Sequence, residues 1–160
     1  MGKSKEDITV VDKLEIREYH EVDFDRLCQI HDQARKRELE AANLSEAFKS
    51  LKIAAYEEDL FSYNIYVGQK DKKVIGFVAF SDDELAWLYV DSSFQKQGVG
   101  SKLIEFSLNK MKRPVYLEVL MGNPAKELYL HKGFKFCKHE SGKMPGNETF
   151  KVEVDLLVYR

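Results

Sequence analysis

The chain has 160 residues, 44% of them hydrophobic, which is enough to bury one core and too little for two ordinary domains, so a single domain over 1–160 is expected. Its 25 basic and 27 acidic side chains leave a net charge of -2 and no strongly basic segment, so neither duplex nucleic acid nor a membrane is expected as a partner. Cys28 and Cys137 stand apart without Cys-x-x-Cys or His-rich company; they read as reduced thiols in or near the core, with no metal expected.

No apolar run approaches the roughly 20 residues of a membrane helix, and "MGKSKEDITV" lacks the apolar centre of a signal peptide, so a cytoplasmic protein is expected with residues 1–12 as a flexible extension. Gly2 invites a lipid-acceptor reading, but Glu6 stands where that motif requires Ser or Thr. Asn43 and Asn147 open glycosylation triplets that matter only in a secreted chain.

"KLEIREY" (13–19) alternates apolar and polar residues as a half-buried strand does. A helical period follows from Asp23 through Leu27, Ile30 and Ala34 to about Ala42, with the charged piece Arg35–Glu40 as its solvated face. A second helix is expected after Ser45 as N-cap, with Ala47, Leu51, Ala54 and Ala55 inward. "NIYVGQKDKKVIGFVAF" reads as a hairpin turning over 69–73, and "ELAWLYV" (84–90) as a strand covered on both faces. The apolar face of Val99, Leu103, Ile104, Phe106, Leu108 and Met111 makes the next helix, and "VYLEVL" (115–120) a strand parallel to 84–90. "NPAKELYLHKGF" is a short helix with Asn123 as cap, Pro124 first and Gly133 as a left-handed stop. "FKFCKHE" and "ETFKVEVDLLVY" close the sheet across the loop "SGKMPGN".

Gly98 and Gly100 fall where a strand hands over to a helix, the place at which unpaired N–H groups and the helix dipole favour an anion. Leu103 stands where the dinucleotide fingerprint requires a third glycine, and Gly100-Ser101-Lys102 inverts the order of a P-loop. Gln95-Lys96-Gln97-Gly98-Val99-Gly100 instead satisfies Gln/Arg-x-x-Gly-x-Gly/Ala. With "LYVD" before it and "LEVLMGNPAKELYLHKGF" after it, the chain resembles the GNAT superfamily of acyl-CoA-dependent N-acetyltransferases over nearly its whole length, and "GKMPGNETF" is similar to the final hairpin loop of bacterial members.

That resemblance implies a mixed α/β fold of order β-α-α-β-β-β-α-β-α-β-β. Its central, mostly antiparallel, twisted sheet has six to seven strands, a splayed parallel pair at strands four and five, and about four flanking helices. It implies acetyl-CoA as co-substrate, its diphosphate on the turn formed by Gln95, Lys96, Gln97, Gly98, Val99, Gly100 and Ser101. The pantetheine would run along Leu88, Tyr89 and Val90, with Asn123, Lys126 and Tyr129 also in contact. A backbone N–H near Val90 would hold the oxyanion. Tyr129 falls at the position of the family's general acid and Glu84 at that of a base acting through water; Asp82, Asp83 and Glu118 compete with Glu84, and His31, His131 and His139 rank below. Trp87 reads either as core or as a wall of the acceptor pocket. The acceptor, implied to lie against 23–59 and 141–147, is expected to be a small-molecule amine; a protein amino group, and a sensor module that binds acyl-CoA without turnover, are the alternatives. A homodimer is left open.

Overall fold

The computed structural model describes residues 13–144 and 147–160; the expected extension 1–12 lies outside them. The elements are β1 (Glu15–Glu18), α1 (Phe24–Ala41), α2 (Leu51–Glu57), β2 (Asn64–Lys70), β3 (Lys73–Phe80), β4 (Leu85–Val90), α3 (Val99–Lys110), β5 (Val115–Leu120), α4 (Ala125–His131), β6 (Lys135–Met144) and β7 (Asn147–Tyr159). This is the expected order and the expected mixed α/β class.

Strands β1 to β4 form one antiparallel sheet in sequence order, and β5, β7 and β6 a second, with β7 in the middle. Among the described residues the two are paired strand to strand only where β4 begins: Glu84 and Tyr116 form an isolated parallel bridge, and the Tyr116 amide donates to the Asp83 carbonyl at 2.7 Å. Beyond that point the strands diverge. A register shift between Ala79 and Phe80, opposite Leu85 to Trp87, helps turn β4 away, as a bulge does.

Each face of the sheet is covered by helices. Ile75, Val78, Leu103, Ile104, Leu117 and Leu157 form the core on the α3/α4 side, and Leu27, Ile30, Leu51, Val67, Phe77 and Trp87 the core on the α1/α2 side. All of β3 after Lys73 is buried, which is why "VIGFVAF" is continuously apolar. A third cluster of Leu39, Ala47, Met144 and Val152 holds the far end of the β6/β7 hairpin against the end of α1. Among the described residues no helix is long and apolar enough to cross a membrane.

Several sequence expectations shift. The β2/β3 turn is tighter than 69–73, because Asp71 and Lys72 take left-handed φ values of 49° and 66° and close it in two residues. Met111 is outside α3, as its C-cap. Ser141 to Met144 are strand rather than loop, since β6 continues to Met144. Cys28 is buried, but Cys137 is exposed on β6. Ser45 does not cap α2: residues 45–47 make a separate 3₁₀ turn, and the helix starts at Leu51.

Candidate active site

The divergence of β4 from β5 opens a cleft of about 950 Å³ that reaches from the first turn of α3, along β4, to carboxylates at the ends of α2 and the start of β4. Past the bridge at Glu84, the side of β4 turned toward β5 has no strand partner among the described residues, so part of its backbone is available to an extended ligand.

At one end is the glycine turn. After β4 the chain makes a 3₁₀ turn over Ser92–Phe94, with the Asp91 carboxylate accepting the Ser93 amide at 2.8 Å. Lys96 (φ 59°) and Gly98 (φ 87°) then take left-handed conformations, and Gly98 is the N-cap of α3. The Lys102 amide bonds back to the Gly98 carbonyl at 3.0 Å, while the N–H groups of a helix's first turn have no such intrahelical partner. Asp91 is itself held by Arg26 of α1, whose Nη2 donates to its Oδ2 and whose Nε donates to the Val74 carbonyl at 2.8 Å. The turn is therefore braced from across the fold.

Gln95, Lys96, Gly98, Val99, Gly100 and Ser101 line the cleft, as do Leu88, Tyr89, Val90, Asn123, Tyr129 and Glu84. Two expected contacts are not brought there. Gln97 is outside the lining, its Nε2 donating to the Ser93 carbonyl at 3.4 Å. Lys126 is drawn to β7, where Nζ donates to Asp155 Oδ2 at 2.8 Å and lies 5.8 Å from the Phe136 ring centre.

Midway along the cleft, Tyr129 projects from α4 and is 8% exposed. Burial pushes its phenol well above the ordinary range, and the nearby Glu38 carboxylate adds to the effect. Tyr89 on β4 is raised in the same way, by burial first and by Glu38 second. Both phenols are protonated at neutral pH. Asn123 is held at both ends of its amide: Oδ1 accepts the Ala125 amide at 2.9 Å, which caps α4, and Nδ2 donates to Glu38 Oε2 at 3.0 Å.

Glu38 and Arg35 are residues the sequence reading missed. They belong to a charged stretch read as a solvated face, yet both line the cleft, and Arg35 Nη1 donates to Glu38 Oε2 at 3.3 Å. Burial raises the Glu38 carboxyl, against the opposing pull of Arg35 and Tyr89. The signal was present in the spacing: His31, Ala34, Glu38 and Ala41 recur at helical intervals, continue the buried stripe of α1, and all line the cleft. Gly122 (φ 91°) brings the chain after β5 so close to α1 that a Cβ there would stand 3.1 Å from the Ala41 carbonyl oxygen.

The other end is acidic. Glu57, Glu58, Glu84 and Glu118 line it together with Tyr63, whose hydroxyl donates to Glu84 Oε1 at 2.8 Å. Burial and this bond push the Tyr63 phenol up to about 12. Burial also raises the Glu58 and Glu118 carboxyls, the latter helped by Glu140 and Glu84. Trp87 is buried in the α1/α2 core and also lines the cleft. His31 lines it as well, buried against Tyr89 at 4.9 Å between ring centres; burial lowers its pKa despite the neighbouring Asp32, so it is neutral. His139 lies outside the cleft lining, between Asp155 and Glu153, and Asp82 is outside too, beside Lys112.

The comparisons agree with this architecture. Residues 62–136 match the model of the acetyltransferase (GNAT) domain, a span running from the turn before β2 into β6 and containing β4, the glycine turn and α4. Among solved structures, a GCN5-related N-acetyltransferase from Rhodopseudomonas palustris superposes with a TM-score of 0.73 at 16% identity, over 91% of this chain and 94% of that one. YncA from Salmonella typhimurium, solved with acetyl-CoA, gives 0.66 at 17% identity over 92% and 94%. PaiA N-acetyltransferase from Thermoplasma acidophilum, in complex with coenzyme A, gives 0.65 at 16% over 92% and 98%. At these identities the likeness is one of fold. None of the curated proteins matches the chain in sequence. Residues 62–136 therefore carry the sequence pattern of the acetyltransferase (GNAT) domain, on a fold whose strand order and splayed strand pair are similar to those of solved GNAT N-acetyltransferases.

Proposed function

We propose that the protein is an acetyl-CoA-dependent N-acetyltransferase that moves the acetyl group to a primary amine by direct attack in a ternary complex, and that the acceptor is a small molecule. One observation carries this reading: the unpaired side of β4 and the N-terminus of α3 open into the same cleft, so an extended thioester and its diphosphate fit one continuous site. Similar folds hold acetyl-CoA in YncA and coenzyme A in PaiA.

In this reading the amides from Gln95 to Ser101 that face the cleft hold the diphosphate, with the α3 dipole behind them. Backbone groups of Leu88, Tyr89 and Val90 pair with the pantetheine, and an N–H near Val90 stabilises the oxyanion. Tyr129, buried and protonated, supplies a proton to the departing sulfur. An alkylammonium with a pKa of about 10.4 costs about 4.6 kcal/mol to neutralise at pH 7. In the same reading Glu84, among the carboxylates at the open end, favours it and then deprotonates it through water. The acidic end suits a cationic amine, and no peptide-binding segment beyond the fold's own elements points to a protein acceptor among the described residues.

The test is acetyl-CoA binding by calorimetry, followed by free-thiol release against polyamines, amino acids, aminoglycosides and short peptides. Binding with release for one small amine supports the proposal, and release with peptides alone moves the acceptor class to proteins. Binding without release favours the sensor, and no binding removes the cleft assignment.

A further inference from the structure

Acetylation of an ammonium removes two protons from nitrogen, and Glu84 accounts for only the first. Glu84 precedes Tyr89 by five residues, about 16 Å along an extended strand, so it serves the open end of the cleft rather than the tyrosines. The carboxylate that interacts with both tyrosines is Glu38. It is fixed from two directions: Arg35 of α1 and Asn123, just before α4, both donate to Oε2, and neither uses Oε1. The groups facing it are Arg35 on its own helix, Tyr89 on β4, Asn123 before α4 and Tyr129 on α4, with Glu58 beyond Arg35.

We propose that Glu38 takes the proton that leaves the attacking nitrogen once the C–N bond has formed, and returns it to Tyr129. This rests on the transferase reading above. The first proton leaves the ammonium at Glu84 and passes to solvent. The neutral amine then bonds to the thioester carbon, giving a tetrahedral adduct with cationic nitrogen and anionic oxygen. Glu38 accepts the second proton from that nitrogen. The oxyanion re-forms the carbonyl, the C–S bond breaks, and sulfur takes the Tyr129 phenolic proton; the protonated Glu38 then restores the phenol. One proton ends on sulfur and one in solvent, which balances amide and thiol as products.

Burial favours the protonated form of Glu38 and so makes it able to hold a proton between the two transfers. Arg35 keeps the carboxylate form accessible before them. Asn123, fixed both to Glu38 and to the first turn of α4, ties the carboxylate to the helix that carries Tyr129.

Glu38→Gln can still accept from Arg35 and Asn123 but cannot take a proton. We expect its kcat to fall about 100-fold, the range of a lost acid–base group, with the KM for acetyl-CoA within about twofold. Because Glu38 and Tyr129 act in one relay, the double variant with Tyr129→Phe should be no more than about threefold slower than the slower single variant. A Glu38→Gln rate within about threefold of wild type, or losses that multiply, would overturn the inference; a packing role predicts multiplication. Should Glu38→Gln fail to fold, Glu38→Asp replaces it. It is expected to lower kcat about tenfold and to move the acid limb of its pH profile, and an unchanged rate and limb would overturn the relay. Wild-type turnover is measured first, so that absence of any turnover, which removes the transferase reading and the relay with it, is distinct from an active wild type whose Glu38 variants are unaffected.

Discussion

Asp32 Oδ1 accepts the Leu51 amide at 2.9 Å, so the N-terminus of α2 is capped from the middle of α1. The same oxygen lies 3.0 Å from His31 Nδ1, and because His31 is neutral the contact is a hydrogen bond rather than an ion pair. Asp32→Ala should lower stability by about 1–2 kcal/mol, the cost of a lost cap with a neighbouring bond. Urea unfolding of the two proteins measures this, and equal midpoints would show that water replaces the carboxylate without cost.

That cap shows where sequence reading ends. Ser45 has the residue type and position of an N-cap, but nineteen residues separate Leu51 from the oxygen that serves it, and local pattern contains no long-range partner. Element order, by contrast, was legible, because β3 and β4 are continuously apolar and α3 is broadly amphipathic. The glycine turn was legible for a local reason too, since Gly98 must take a left-handed φ where a strand meets a helix. Glu38 was hidden by its charge: composition placed it in solvent, and only the continuation of the buried α1 stripe, together with Asn123 from 85 residues away, brings it inside. Lys126 is the converse, a plausible ligand contact taken up by Asp155.

Gly98→Glu should abolish measurable acetyl-CoA binding. A side chain at φ 87° is strained by about 1–2 kcal/mol, and a carboxylate at the first turn of α3 opposes any anion there. Calorimetry should show affinity reduced at least about 100-fold, while Gly98→Ala, with strain and no charge, falls between. Unchanged affinity for Gly98→Glu would sink the diphosphate assignment.

Tyr129→Phe should bind acetyl-CoA as the wild type does, because the ring keeps its edge-on contact with Phe134, 5.9 Å between centres. Its kcat should fall about 100-fold if sulfur leaves with a proton from this phenol. A full rate would make Tyr129 a packing residue. Glu84→Gln should act differently, lowering kcat/KM for the amine about 100-fold and raising the Tyr63 phenol less; an unchanged kcat/KM would exclude Glu84 as base.

Acid stability should report on two aspartates that no reaction step uses. Arg17 holds Asp23 with paired bonds of 2.9 Å, helped by the His20 amide, and the Asp23 carboxyl lies below its ordinary range. Burial alone would raise Asp91, but the Ser93 amide and the Arg26 guanidinium outweigh it and leave it lowered. A carboxyl whose folded pKa is depressed stabilises the fold above its unfolded value of about 3.9, and that contribution disappears as pH falls through the lower folded value. Unfolding free energy should therefore decline below about pH 4.5, and Asp23→Asn and Asp91→Asn should each start lower at neutral pH and decline less steeply. Arg26→Ala should be more severe, at about 3 kcal/mol, because it leaves the Asp91 carboxylate, 7% exposed, without its cation. It should also weaken acetyl-CoA binding, since Asp91 anchors the 3₁₀ turn from which the Gly98 loop departs. Urea titrations across that pH range decide both points, and parallel curves for wild type and the two Asn variants would assign the acid sensitivity to other groups.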